Sequence, residues 1–216
     1  MPLICFFGPD GSGKTTMAKA LARKLKDRNL KVRISWMRGT HTLASLLAKF
    51  LSRFATFRGS DNPYYGVSIP NGVRRVWQLI EFVSVLPILL TRFMLPSLLG
   101  YTVIAERYVP DFIAWVSLTT RDECYLGRLE ARFMLALSMK TDARVYVTAS
   151  EVELARRRGG EVDQRFLSRQ VKLYDRLAKL VKAYKIDTTG RSVEETLHEL
   201  ISLVQPLVAR DGGAFA

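Results

Sequence analysis

The chain has 216 residues, 48% hydrophobic and 25% charged, too apolar and aromatic for a disordered polymer and about the size of one domain with a single core. Lys and Arg outnumber Asp and Glu 33 to 20, and the formal charge of +13 favours polyanionic ligands, nucleotides or nucleic acid, without choosing between them. Two cysteines far apart in sequence, Cys5 and Cys124, with no CxxC or His cluster, lead us to expect reduced thiols and no zinc.

Leu3 to Phe7 is an apolar run of strand length that stops at Gly8. From Lys14 to Leu25, Met17, Leu21, Ala22 and Leu25 recur at helical spacing with Lys and Arg opposite. Lys31 to Trp36 alternates as a second strand, and Leu43, Leu46, Leu47, Phe50, Leu51 and Phe54 mark an amphipathic helix. Gly59 to Gly72, rich in Gly, Pro, Asn and Asp, reads as a long variable loop. An apolar helix follows that includes Trp77 to Leu90, with a kink expected at Pro87.

Thr102 to Ala105 is a third strand running into Glu106-Arg107-Tyr108; a helical region separates it from a fourth, Arg144 to Thr148. Ser150 with Glu153 is a capping-box signature for a helix carrying Arg156, Arg157 and Arg158 to the Gly159-Gly160 break, after which a basic loop extends a lid over about 156–166. Val171, Tyr174, Leu177, Leu180, Val181 and Tyr184 outline another helix, and Lys185 to Asp187 a short last strand. Ser192 with Glu195 is a second box, opening a helix that turns Val193, Leu197, Leu200, Ile201 and Val204 inward. The alternation of strands and helices defines the expected fold: α/β, three layers, a parallel five-stranded sheet covered by helices on both faces, in one domain over 1–216.

Val76 to Ala105 is apolar enough to suggest a membrane span, but Glu81 and Arg92 cut it into runs shorter than the roughly 20 residues a span requires. Met1 to Cys5 carries no basic leader, so we expect a cytoplasmic protein with no membrane partner. His41 and His198 are read as surface or packing residues.

Gly8-Pro9-Asp10-Gly11-Ser12-Gly13-Lys14-Thr15, followed by Thr16, satisfies the full spacing of a P-loop between a strand and a helix. The chemistry needs backbone N–H groups converging on phosphate oxygens at a helix N-terminus, with no side chain in the way at Gly11 and Gly13. Lys14 is expected to bridge the β- and γ-phosphates of ATP, and the Thr15 hydroxyl to ligate Mg²⁺.

With these motifs in place, the sequence resembles the thymidylate kinase family of nucleoside monophosphate kinases along nearly its whole length. The resemblance implies ATP as donor, a nucleoside monophosphate as acceptor and a homodimer built through the apolar middle helices. It implies that Asp10 contacts the acceptor 3′-hydroxyl, and that Gly11 leaves the catalytic arginine to the lid, where Arg156, Arg157, Arg158 and Arg165 are candidates. Glu106-Arg107-Tyr108 stands where the family has Asp-Arg-Tyr; Arg107 would bind the acceptor phosphate and Glu106 would hold Mg²⁺ through water. Arg38 matches a further phosphate-binding arginine, Phe82 the ring that stacks on the base, and Trp115 an aromatic near the sugar. Leu86 falls where the family places a base-reading arginine.

Three other readings compete, one of them a kinase-like ATP-binding protein with degraded activity, motivated by the altered acceptor pocket around Leu86. A deoxynucleoside kinase, whose Glu-Arg-Ser motif Glu106-Arg107-Tyr108 also resembles, needs a carboxylate base near the end of the second strand, and Trp36-Met37-Arg38 offers none. Nucleic acid as a partner is motivated by charge alone, with no supporting motif.

Overall fold

Short runs of Ile, Val, Phe and Ala, too apolar to face water on either side, form the centre of the molecule, as expected of strands buried between two helical layers. In the computed structural model, which describes residues 1–37, 43–59, 66–159 and 164–210, they are β1 (Leu3–Phe7), β3 (Thr102–Glu106) and β4 (Ala143–Thr148), and the more polar, partly exposed β2 (Val32–Trp36) and β5 (Tyr184–Asp187) complete the sheet at its edges. They pair in parallel in the order β2-β3-β1-β4-β5. Phe6 pairs with Glu106 on one side of β1 and with Val145 on the other, and Trp36 pairs with Glu106 across β2 and β3. The register brings the C-terminal ends of β1, β3 and β4 level, and ligands of open parallel sheets bind outside those ends.

The helices are α1 (Lys14–Lys26), α2 (Leu43–Leu51), α3 (Arg74–Leu89), α4 (Leu95–Leu98), α5 (Val109–Thr119), α6 (Leu129–Met139), α7 (Glu151–Arg157), α8 (Gln164–Leu180) and α9 (Val193–Arg210). On one face of the sheet Val85 and Leu89 of α3, Phe112 and Val116 of α5 and Leu177 of α8 join one buried cluster. On the other, Met17, Leu21 and Leu25 of α1 meet Leu200 and Val204 of α9. Ala44 and Ala48 let α2 lie close against Trp77 of α3. The three-layer α/β fold expected from the strand and helix alternation is the one observed.

Two local expectations are corrected. The helix read from Val171 to Tyr184 begins at Gln164 and ends at Leu180, and Tyr184 opens β5. Lys182, at φ 50°, turns the chain out of the helix, with the Ala183 N–H donating to the Ala178 carbonyl at 2.9 Å. Arg165 is therefore in the first turn of α8 rather than in a loop. Pro87, where a kink is expected, lies inside α3, and a π-helical turn follows at Leu90–Met94, with the Thr91 hydroxyl donating to the Pro87 carbonyl at 2.8 Å. That turn docks on β2, where Arg92 donates to the Trp36 carbonyl at 3.2 Å and Ser35 donates to the Arg92 carbonyl. Finally, the helical run Asn71–Leu98 reaches the length and, at 1.7, the mean hydropathy of a membrane span, because Glu81 and Arg92 are too few to interrupt it; its inner side packs on the sheet.

The two cysteines are free, Cys5 buried and Cys124 exposed.

Gly8, at φ 142°, marks the exit from β1, where an added Cβ would lie 2.1 Å from the Val147 carbonyl oxygen. Gly8→Ala is expected to lower unfolding free energy by about 2 kcal/mol or more in denaturant titrations, through overpacking against a backbone atom that cannot rotate away.

Candidate active site

The loop after β1 wraps so that Gly11 (φ 86°) and Gly13 (φ 92°) take left-handed conformations, and Gly13 caps α1. These turns aim successive N–H groups at one point, the concavity that holds phosphate at a helix N-terminus. The Lys14 ammonium curls back over the loop, donating to the Pro9 carbonyl at 2.6 Å and to the Ser12 hydroxyl at 3.3 Å. Burial, reinforced by the positive charge of Arg107, lowers its pKa to about 8. A polyanion arriving beside it removes that penalty by supplying the missing counter-charge.

Thr15 and Glu106, the two expected metal ligands, meet: the Thr15 hydroxyl donates to Glu106 Oε1 across the gap between α1 and the end of β3. No group of three or more His, Cys, Asp or Glu side chains gathers among the described residues. A hydroxyl and a carboxylate suit Mg²⁺, which commonly keeps its waters and takes one or two protein ligands plus substrate phosphates.

Arg107, at φ 65°, adopts a backbone conformation that non-glycine residues reach only under constraint, here the bond from its N–H to the Phe6 carbonyl at 3.0 Å. Its guanidinium bridges Asp10 and Asp111, the latter at 3.5 Å. Tyr174 of α8 donates to the same Asp111 oxygen at 2.9 Å. Burial raises the Asp111 pKa against the pull of Arg107, and its Oδ2 has no hydrogen-bond partner. Sequence reading missed Asp111 and Tyr174. The spacing Arg107 to Asp111, one helical turn, was the available signal for the first.

The lid arginines separate into three environments. Arg156, with 72% of its side chain exposed, is engaged outward by Glu153 at 2.7 Å. Arg157 donates to the Gly11 carbonyl at 3.2 Å and to the Thr188 hydroxyl and carbonyl at 2.9 and 3.0 Å, joining lid, P-loop and the end of β5. Arg158 lies against the P-loop, its Cγ 3.3 Å from where a Cβ on Gly11 would stand, and its Nη1 is buried without a partner. The Ser150 box is only half closed: Ser150 accepts from the Glu153 N–H, but the Glu153 carboxylate serves Arg156 and Arg157, which hold its pKa down at about 2. Ser192 and Glu195 form the reciprocal box.

A cavity of about 410 Å³ opens beside the loop, lined by Lys14, Thr15, Arg107, Arg157, Thr188 and Arg191 among others. Thr188 and Arg191 had not been expected from sequence; Thr188 follows β5 and donates to the Ser12 and Thr148 carbonyls, both at 3.1 Å. Arg165 does not line this cavity. Arg38 and His41 fall outside the described residues. His198 is exposed, beside Tyr184 and Glu199.

Phe82 meets Phe133 edge-on, ring centroids 6.0 Å apart, and Trp115 and Leu86 pack on the same core. Beside them lies a carboxyl that sequence reading treated only as a break in an apolar run. Glu81 is 2% exposed, and burial raises its pKa to about 7 against the stabilising indole N–H groups of Trp115 and Trp77.

A P-loop at the C-terminal edge of a parallel sheet, closed by an arginine-bearing helix, is the architecture of the P-loop NTPase fold. Residues 4–79, from β1 into α3, match the family described as ATPases associated with various cellular activities (AAA). The search of curated proteins finds no match. Among solved structures, the chain is similar to the thymidylate kinase of Candida albicans, a protein described as having broad substrate specificity. The TM-score is 0.65 at 16% identity, covering 95% of this chain and 91% of that one. The likeness establishes the fold.

Glu81 gives a measurable signature. The folded state holds its proton between pH about 4.5 and 7 while the unfolded chain releases it, so stability from this group is full at acid pH and is lost as pH rises toward 7. Glu81→Gln is expected to remove that slope and to raise stability at pH 8 by up to about 3 kcal/mol, read from melting curves across the range.

Proposed function

We propose that this chain is an ATP- and Mg²⁺-dependent nucleoside monophosphate kinase, acting in the cytoplasm and transferring the γ-phosphoryl group of ATP to dTMP to give dTDP. The observation that carries the reading is Arg107, a guanidinium fixed by two carboxylates at the mouth of a complete P-loop, within reach of both donor and acceptor anions. Such a transfer depends on positioning and charge neutralisation, so the site requires cations rather than a dedicated base. An acceptor monophosphate is already largely ionised near neutral pH.

Each group then has a role. The Gly8–Thr16 loop cradles the donor phosphates, and Lys14 follows the transferred group. An acceptor phosphate competes with Asp10 for Arg107, freeing the Asp10 carboxylate to accept from the sugar hydroxyl, while Asp111 and Tyr174 keep the guanidinium aimed. Thr15 and Glu106 would hold Mg²⁺, which supplies charge neutralisation between donor phosphates when bound. Of the lid arginines, Arg158 packs its Cγ against Gly11 and carries a buried donor without a partner, which makes it the candidate for the charge that develops in transfer once the lid reorients, since it is Arg157 that lines the cavity. Arg157 acts as a positioning residue through Gly11 and Thr188. Phe82 and Trp115 would bound the base and sugar. Leu86 has no donor, and loss of a base-reading hydrogen bond weakens discrimination, so other monophosphates should compete with dTMP.

The same reading includes a homodimer. Val76, Leu79, Val83, Leu90, Met94 and Leu98 form an exposed stripe along α3 and α4, uncharged despite the +13 of the chain. A second copy applied about a two-fold axis can cover it without bringing like charges together. Val83→Glu is expected to convert a dimer to a monomer in sedimentation velocity runs.

The decisive assay is ADP formation from ATP and Mg²⁺ with dTMP, dUMP, dCMP, dAMP, dGMP, their ribose counterparts, free nucleosides and a 5′-hydroxyl oligonucleotide, with Lys14→Ala as blank. Turnover of dTMP above the blank is expected. Use of nucleosides or the oligonucleotide alone would overturn the acceptor class. Arg158→Ala is expected to lower kcat on the order of a thousandfold, and Arg156→Ala only a few-fold.

A further inference from the structure

The donor cavity and the lid use a small share of the positive charge, and five other cations are ordered along one line. On α8, Arg165, Arg169, Lys172, Arg176 and Lys179 are all exposed and follow one another at intervals of four, three, four and three residues, the spacing of a single helix face. At the rise of an α-helix the column is about 21 Å long, with steps of about 4.5–6 Å. The lone acid of the helix, Asp175, lies to one side and is engaged by Lys185 at 3.4 Å. Glu123 stands 3.4 Å from Arg169, with both side chains more than half exposed, so solvent and salt weaken the pair.

Alongside runs a groove of about 180 Å³ between α5 and α8, floored by Ser117, Leu118 and Leu173 and edged by Arg169, Lys172 and Arg176. Arg169, Lys172, Arg176 and Lys179 lie outside the lining of the donor cavity.

We propose that this column is a docking surface for single-stranded nucleic acid, held by its phosphodiester backbone without regard to sequence. A regular row of cations suits a ligand with one anion per repeat, and each phosphate neutralised releases a counterion. An anionic bilayer is the weaker match: a helix lying in the lipid interface presents apolar side chains beside its cations. The apolar side of α8, Leu167, Tyr174 and Leu177, is buried in the core.

The test is anisotropy of a labelled oligouridylate about 20 nucleotides long, a length beyond the footprint of one small domain. Binding is expected, and with four or five phosphates engaged a fourfold rise in salt should weaken it on the order of fifty-fold. Lys172→Glu/Arg176→Glu should raise Kd at least about tenfold and flatten the salt slope by about 1.4. The charge-matched control Lys19→Glu/Arg23→Glu, on exposed positions of α1 across the sheet, should stay within about twofold of wild type, the scale of one weak surface contact. Circular dichroism confirms folding; where reversal unfolds the chain, Lys172→Gln/Arg176→Gln is read instead. Absence of binding, or equal weakening in both charge-matched variants, overturns the proposal. So does a column variant that releases phosphatidylserine vesicles while keeping the oligouridylate. The proposal is independent of the kinase reading, since these assays contain no ATP.

Discussion

The close approach of Gly8 to the backbone of β4 is the constraint from which the site follows. With the Val147 carbonyl oxygen where a side chain would begin, the chain can leave β1 only through a residue without a Cβ, at φ 142°. That exit sets the direction of the loop, the loop sets the two left-handed glycines, and these start α1 at the level of the ends of β3 and β4. Thr15 therefore faces Glu106 with no further device, because the parallel register has already brought β3 alongside.

The charges near this edge are balanced locally. Lys14, Arg107, Asp10 and Asp111 alternate in sign, and each charge removed from water gains an opposite neighbour. The balance is incomplete at Lys14, where burial and a like charge leave the ammonium short of partners, and at Arg158, where a donor lacks one. Both deficits are positive, and Lys14 stands in the loop itself, so an anion bound there meets preformed attraction. Glu81 is another kind of buried charge, with the indoles of Trp77 and Trp115 beside it and no cation engaging it among the described residues, and it destabilises the fold near neutral pH.

Much of this was legible in the chain. Strand lengths, the P-loop glycines, the Ser192 box and the alternation of elements are local signals, and the three-layer sheet follows from them. What escaped reading depends on contacts remote in sequence. Asp111 is meaningful only because Tyr174 crosses from α8, and Thr188 because β5 ends beside Ser12. The periodicity from Val171 to Tyr184 ran past the true helix end because Lys182 terminates it without a glycine. The arginine triplet could not be resolved from spacing, since three consecutive residues at the end of α7 point in different directions and only their partners distinguish them: Glu153 for Arg156, Gly11 and Thr188 for Arg157, the P-loop for Arg158.

Arg157 has a consequence for how the nucleotide is received. One guanidinium holds α7 to the P-loop and to the turn after β5, so the donor side is assembled before any ligand arrives. Assembly of this kind lowers the conformational entropy lost on binding. Donor affinity should then be limited chiefly by the phosphates themselves, with little reorganisation of the protein. In the proposed transfer the conformational work would fall on the acceptor side, where Arg107 would exchange Asp10 for an incoming phosphate.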